Sequence, residues 1–108
     1  MTDRKLLELA AKAAGIDRGA DRLEYGILVT EKTGRRSLPK WNPLEDDGDA
    51  FRLAVKLRIN VTHGANMVNA EREQPEEVAA VEPFNGDPAA ATRRAIVKAA
   101  AEIGRRMP

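Results

Sequence analysis

The sequence predicts a single α+β domain, residues 1–108, built from three helices and a sheet of three to five mainly antiparallel strands. Three observations carry this. Apolar residues recur at helical spacing at both chain ends and once between them. The stretches between those helices hold short runs of strand formers, some alternating with period 2. The chain has 108 residues, enough for one hydrophobic core and too few for two.

The first helix opens at Thr2 or Asp3, whose side chains can accept first-turn backbone N–H groups, and closes at Gly15, where a left-handed cap belongs. Leu6, Leu9, Ala10, Ala13 and Ala14 fall on one face, with Arg4, Lys5, Glu8 and Lys12 on the other. Ile16 to Ala20 reads as a linker. Leu23 to Thr30 is a run of strand formers, Thr33-Gly34 a turn, and Arg35 to Leu38 a short returning strand. Pro39 and Pro43 bracket a loop that holds the single tryptophan, Trp41.

The second helix starts within Asp46-Asp47-Gly48-Asp49 and ends near Leu57. Ala50, Leu53, Ala54 and Leu57 share a stripe flanked by Phe51 and Val55, an apolar surface wide enough to predict a central packing element. Arg58 to His63 alternates, with Ile59, Val61 and His63 on one side. A two-residue turn at Gly64-Ala65 would return the chain along Asn66 to Arg72, and Val78 to Pro83 adds a further strand. In the last helix Asp87 is the N-cap and Pro88 takes the first position, where its missing N–H costs nothing. Ile96, Ala100, Ile103 and Met107 line its buried face.

Composition excludes several functions. The chain has no cysteine and one histidine, so it can build no disulfide, thiolate zinc site, cysteine nucleophile or multi-histidine metal centre. The longest apolar run is four residues, Val78 to Val81, which predicts no membrane span. The charged, amphipathic start is unlike a signal peptide, and the expectation is a cytoplasmic protein. Lys and Arg total 18 against 17 Asp and Glu. The ends of the chain are basic and its middle acidic, which either pairs neighbouring elements or marks a partner-binding face.

Trp41-Asn42-Pro43-Leu44, followed by Asp46 to Ala50 and Arg52 to Leu57, resembles a block of the phage ABA sandwich domain family, small bacteriophage and prophage proteins. Asp87 to Val97, continuing through Ala100 to Gly104, is similar to that family's closing helix, and Leu6 to Gly15 fits its opening. The resemblance implies a helix–sheet–helix sandwich encoded by a phage or prophage. It implies no catalytic activity.

No residue set here has the spacing of a catalytic or metal motif, so the chain is expected to be no enzyme and to need no cofactor. Placing Gly48 at the turn glycine of a calcium loop puts Pro43 and Ala54 at positions that need ligands, and the acidic cluster reads instead as a helix cap. His63 reads as a hydrogen-bonded edge residue. Two features remain as a candidate partner surface. Trp41 and Asn42 lie in the proline-bracketed loop, where Trp41 either staples the loop to the core or anchors a partner. Arg94, Lys98 and Arg105 fall within about 40° of one another on the last helix, flanked by Arg93 and Arg106. That stripe is either a solvated face or a phosphate-contacting one. The sequence therefore favours a phage accessory protein that binds an unknown protein partner, with weak nucleic-acid binding through the basic terminal helix as the alternative. It does not decide the oligomeric state.

Overall fold

The structure, a computed structural model, describes residues 1–16, 21–24, 27–30 and 41–108. The expected linker at 17–20, turn at Thr33-Gly34 and strand at 35–38 lie outside the described residues.

Helix α1 spans Asp3–Ala14; the Thr2 hydroxyl accepts the Lys5 N–H, and Gly15 ends the helix at φ 73°. Strands β1 (Asp21–Glu24) and β2 (Ile27–Thr30) pair antiparallel, with Leu23 opposite Leu28. The Leu23–Thr30 run is thus two strands where the sequence predicts one. Four-residue strands with the right residue types still need a partner, and here each is the other's partner.

Helix α2 spans Asp47–Leu57, capped by the Asp46 carboxylate, which accepts the Asp49 N–H at 2.7 Å. It ends at Arg58 in the left-handed region, φ 58°, and the Arg58 and Ile59 N–H groups close the last turn on Val55 and Ala54 carbonyls. Strands β3 (Asn60–His63), β4 (Met67–Arg72) and β5 (Val78–Pro83) form one antiparallel sheet in that order. The β3–β4 turn is one residue later than expected. His63 pairs with Val68, and Gly64 N–H reaches Met67 O at 2.7 Å, which leaves Ala65-Asn66 at the tip. The shift keeps Val61 and His63 on the same sheet face as Val68 and Ala70, the face that is buried.

Helix α3, Pro88–Arg106, starts on the Asp87 cap as expected and is the central element of the fold. It lies on β4 and β5, and α1 and α2 pack against it in turn. The expectation that α2 is central fails for a reason of bulk. Alanines let α3 be approached on nearly every side: Ala91, Ala95, Ala99, Ala100 and Ala101 are all buried alongside Ile96, Val97 and Ile103. On α2 the stripe Ala50, Leu53, Ala54 and Leu57 is buried, but Phe51 and Val55 are 68% and 60% exposed. On α1 the buried face is rotated from the expected one: Leu6, Leu7, Ala10, Ala11 and Ala14 are buried, while Leu9 and Ala13 are half-buried.

The closest approach is between α1 and α3 at Gly104, where an added Cβ would lie 2.0 Å from the Leu9 carbonyl oxygen. Small residues there bring two helix backbones together. On the sheet, Val68, Ala70 and Val78 face α3 and are buried, whereas Met67 and Val81 point to the other face and are exposed.

Candidate functional site

The sequence-predicted surface residues divide into two groups with different surroundings. Trp41 is half-buried against the core, and the loop it opens is pinned to α2. The Asn42 N–H donates to Asp49 Oδ2 at 2.9 Å, and Asn42 Oδ1 accepts the Leu44 N–H at 3.0 Å. Asp49 is nearly buried and also accepts from Arg52 at 2.8 Å. The loop is therefore stapled down, and Trp41 serves that staple.

The basic stripe of α3 is engaged within the fold. Arg93 donates Nε to the Leu44 carbonyl at 2.9 Å and pairs with Asp47 at 2.7 Å. Arg94 meets Asp3 at 3.0 Å and Glu82 at 3.2 Å, and Lys98 meets the same Glu82 oxygen at 3.1 Å. Arg105 and Arg106 both donate to Glu102. Those bonds hold the Glu102 carboxyl at a pKa of about 2, with the Arg105 hydrogen bond the larger cause and Arg106 second. The basic end of the chain thus meets carboxylates from its acidic middle and from α1, and the stripe is not an unopposed phosphate-binding face.

His63 Nε2 lies 2.8 Å from Thr92 Oγ1, and that hydroxyl donates its own proton to the Pro88 carbonyl. Nε2 must then be the donor, so the ring is held in one tautomer as an edge-strand tie to α3. No group of acidic or histidine side chains among the described residues could hold a metal ion. No described helix is long and apolar enough to cross a membrane.

The surface the sequence did not single out is a groove of about 650 Å³ between α2, the first half of α3 and β3. Phe51, Ala54 and Val55 of α2, Ile96 of α3, and Ile59 and Val61 at the start of β3 line it. The signal was present in the width of the apolar arc on α2, but one helix cannot show whether that arc meets its own core or stays open. Among the described residues β3 is an edge strand. Since Gly64 and Met67 share a ladder bond, alternation turns the backbone of Asn60 and Thr62 toward β4 and that of Val61 and His63 outward, and of these Val61 lines the groove.

Among the described residues, the fold and this surface define a small α+β domain with three helices, a three-stranded antiparallel sheet and an apolar groove beside β3. No model of a known protein family matches the chain, and no curated protein or solved structure matches it either.

Proposed function

We propose that this chain is a non-catalytic protein-interaction domain, and that its contact surface is the groove between α2, α3 and β3. The observation that carries the reading is the exposure of Phe51 and Val55, two large apolar side chains on one wall of a concave surface. Aromatic residues beside a pocket are the usual anchors of protein interfaces. The outward backbone of Val61 and His63 favours an extended partner segment that adds to the β3 edge and drops alternate apolar side chains into the groove. Arg58, at the groove's end, has no ion pair among the described residues and suits an acidic residue on that segment.

A phage or prophage accessory role in the cytoplasm of a bacterial host rests on the resemblance that residues 6–15, 41–44, 46–50, 52–57, 87–97 and 100–104 bear to the phage ABA sandwich domain. In that reading the sheet face carrying Met67 and Val81 is where the second helical layer of the sandwich belongs. Nucleic-acid binding ranks lower, because Arg93, Arg94, Lys98 and Arg105 already have carboxylate partners.

The test is selection from a displayed random-peptide library. Wild-type protein should enrich peptides with alternating apolar residues, and Phe51→Asp or Val55→Asp should weaken their binding at least about tenfold, which is about 1.4 kcal/mol. Bound peptide should slow hydrogen exchange at the Val61 and His63 amides. Peptide binding unaffected by both variants sinks the reading. So does submicromolar binding to duplex DNA or RNA with a steep salt dependence.

A further inference from the structure

Beyond the groove, three cations at the C-terminal end of α2 and the end of β4 have no carboxylate partner among the described residues. Arg72, the last residue of β4, is 8% exposed, and its Nε–H is sealed from solvent with no acceptor. It lines a second pocket, of about 400 Å³, with Lys56, Leu57, Arg58, Gln74 and Pro75. None of Arg72, Lys56 and Arg58 has an ion pair or side-chain hydrogen bond among the described residues. Among the described residues exposed Lys5 is unpaired as well and Lys12 meets only the Met107 carbonyl, but Arg72 is the one of these cations that is buried. Arg52, Arg93, Arg94, Lys98, Arg105 and Arg106 each meet at least one carboxylate.

A buried guanidinium cannot lower its cost by losing its proton, and without a counter-charge it destabilises the fold relative to an apolar residue of similar size. Hydrophobic packing alone would be better served by methionine at this position. Lys56 and Arg58 also do more than complement the negative end of the α2 dipole, since two of its terminal carbonyls are already closed by the Arg58 and Ile59 N–H groups. The nearby Glu73, Glu76 and Glu77 are exposed, and none lines the pocket.

We propose that this pocket binds a phosphate-class oxyanion, either free phosphate or the phosphate group of a small monoester. Arg72 and Arg58 offer planar guanidinium forks matched to two oxygens, Lys56 adds a compact charge, and the Gln74 amide offers a neutral donor. Three cations suit a dianion better than a single carboxylate. The pocket is larger than a phosphate ion, so a short organic substituent fits with it. The assignment is independent of the peptide groove, which shares only Arg58 with this pocket.

The experiment titrates the full chain with sodium phosphate, glycerol phosphate or sodium acetate at constant ionic strength. It reads the Arg72 Nε–Hε signal by nitrogen-15 NMR and the melting temperature. Phosphate should shift that signal saturably and raise the melting temperature, as a ligand bound only by the native state must. Acetate should do neither. Tighter binding of glycerol phosphate identifies a monoester as the natural ligand, and equal or weaker binding identifies the free ion. Lys56→Ala and Arg58→Ala, both at exposed positions, should each weaken phosphate binding at least about tenfold, about 1.4 kcal/mol. Arg72→Met should lose the response while melting at or above wild type in phosphate-free buffer. The proposal is overturned if phosphate in the tens of millimolar leaves the Arg72 signal unmoved, or if acetate matches phosphate. It is equally overturned if the two exposed variants bind as wild type does, a readout that stands even if Arg72→Met does not fold.

Discussion

Replacing Gly104 with alanine tests the packing of α1 on α3. A Cβ at this position would lie 2.0 Å from the Leu9 carbonyl oxygen, 2.9 Å from its carbonyl carbon and 3.3 Å from its Cα. All three are backbone atoms of the facing helix, so no rotamer change relieves the contact and the helices must separate. Separation opens gaps among buried small residues: Ala10, Ala11 and Ala14 on α1, and Ala100 and Ala101 one turn before Gly104 on α3. Overpacking of this kind costs about 1–3 kcal/mol and occasionally more. Opposing it, alanine in a helix interior gains about 1 kcal/mol over glycine. The steric cost should win, with a net loss of about 2 kcal/mol out of a total of about 5–15 kcal/mol for a domain of this kind.

Gly48 in the first turn of α2 supplies the control. A Cβ there meets only the ends of the Arg52 and Asp46 side chains, at 3.1–3.2 Å; the Arg52 end can swing away, and the capping Asp46 carboxylate need give by only a few tenths of an ångström. Gly48→Ala should therefore be neutral or slightly stabilising. Urea unfolding followed by circular dichroism reads both variants, as a shift in midpoint at unchanged slope. If Gly104→Ala is as stable as wild type, the helices are not in backbone contact and the account of α3 as the central element is wrong.

Two other predictions concern the core and pH. Ile96→Ala and Ile103→Ala should each cost about 2–5 kcal/mol, because both side chains are buried in the cluster around α3; losses below about 0.5 kcal/mol in denaturant would contradict that placement. Glu102 has a folded pKa of about 2 against an ordinary value of 4.5, so its contribution to stability is complete above pH 4.5 and lost as the pH falls toward 2. Glu102→Gln should therefore be less stable than wild type at neutral pH, and the difference should close across that acid window. A gap that stays constant from pH 6 to pH 2 would mean the two arginines do not hold the carboxylate.

Elements whose signal is local were legible in the sequence. The Asp87 cap, the Gly15 terminus and the β5 boundaries at Val78 and Pro83 depend on residues within a turn of one another and lie where expected, while the structure chose Thr2 over Asp3 and Asp46 from the acidic cluster. The division of Leu23–Thr30 into two strands and the one-residue shift of the β3–β4 turn were not, because strand pairing is a choice between partners and registers. The staple role of Trp41 was among the sequence readings, but the Asp49 carboxylate that pins its loop was visible only in three dimensions.

By itself the sequence determined that this is an α+β domain of three helices and antiparallel strands, without the residues for thiolate or multi-histidine chemistry. Periodicity, capping and composition are properties of the chain that do not depend on what each face meets. Only the tertiary structure decided which helix is central, and the reason is steric. Alanines and Gly104 let α1, α2 and the sheet all approach α3, while the larger Phe51 and Val55 remain on the open side of α2. It also decided which charges are free. Attraction between charges in saline water is screened within about 10 Å, and only the folded chain brings Glu82 to Arg94 and Lys98 while leaving Arg72, Lys56 and Arg58 with no carboxylate among the described residues.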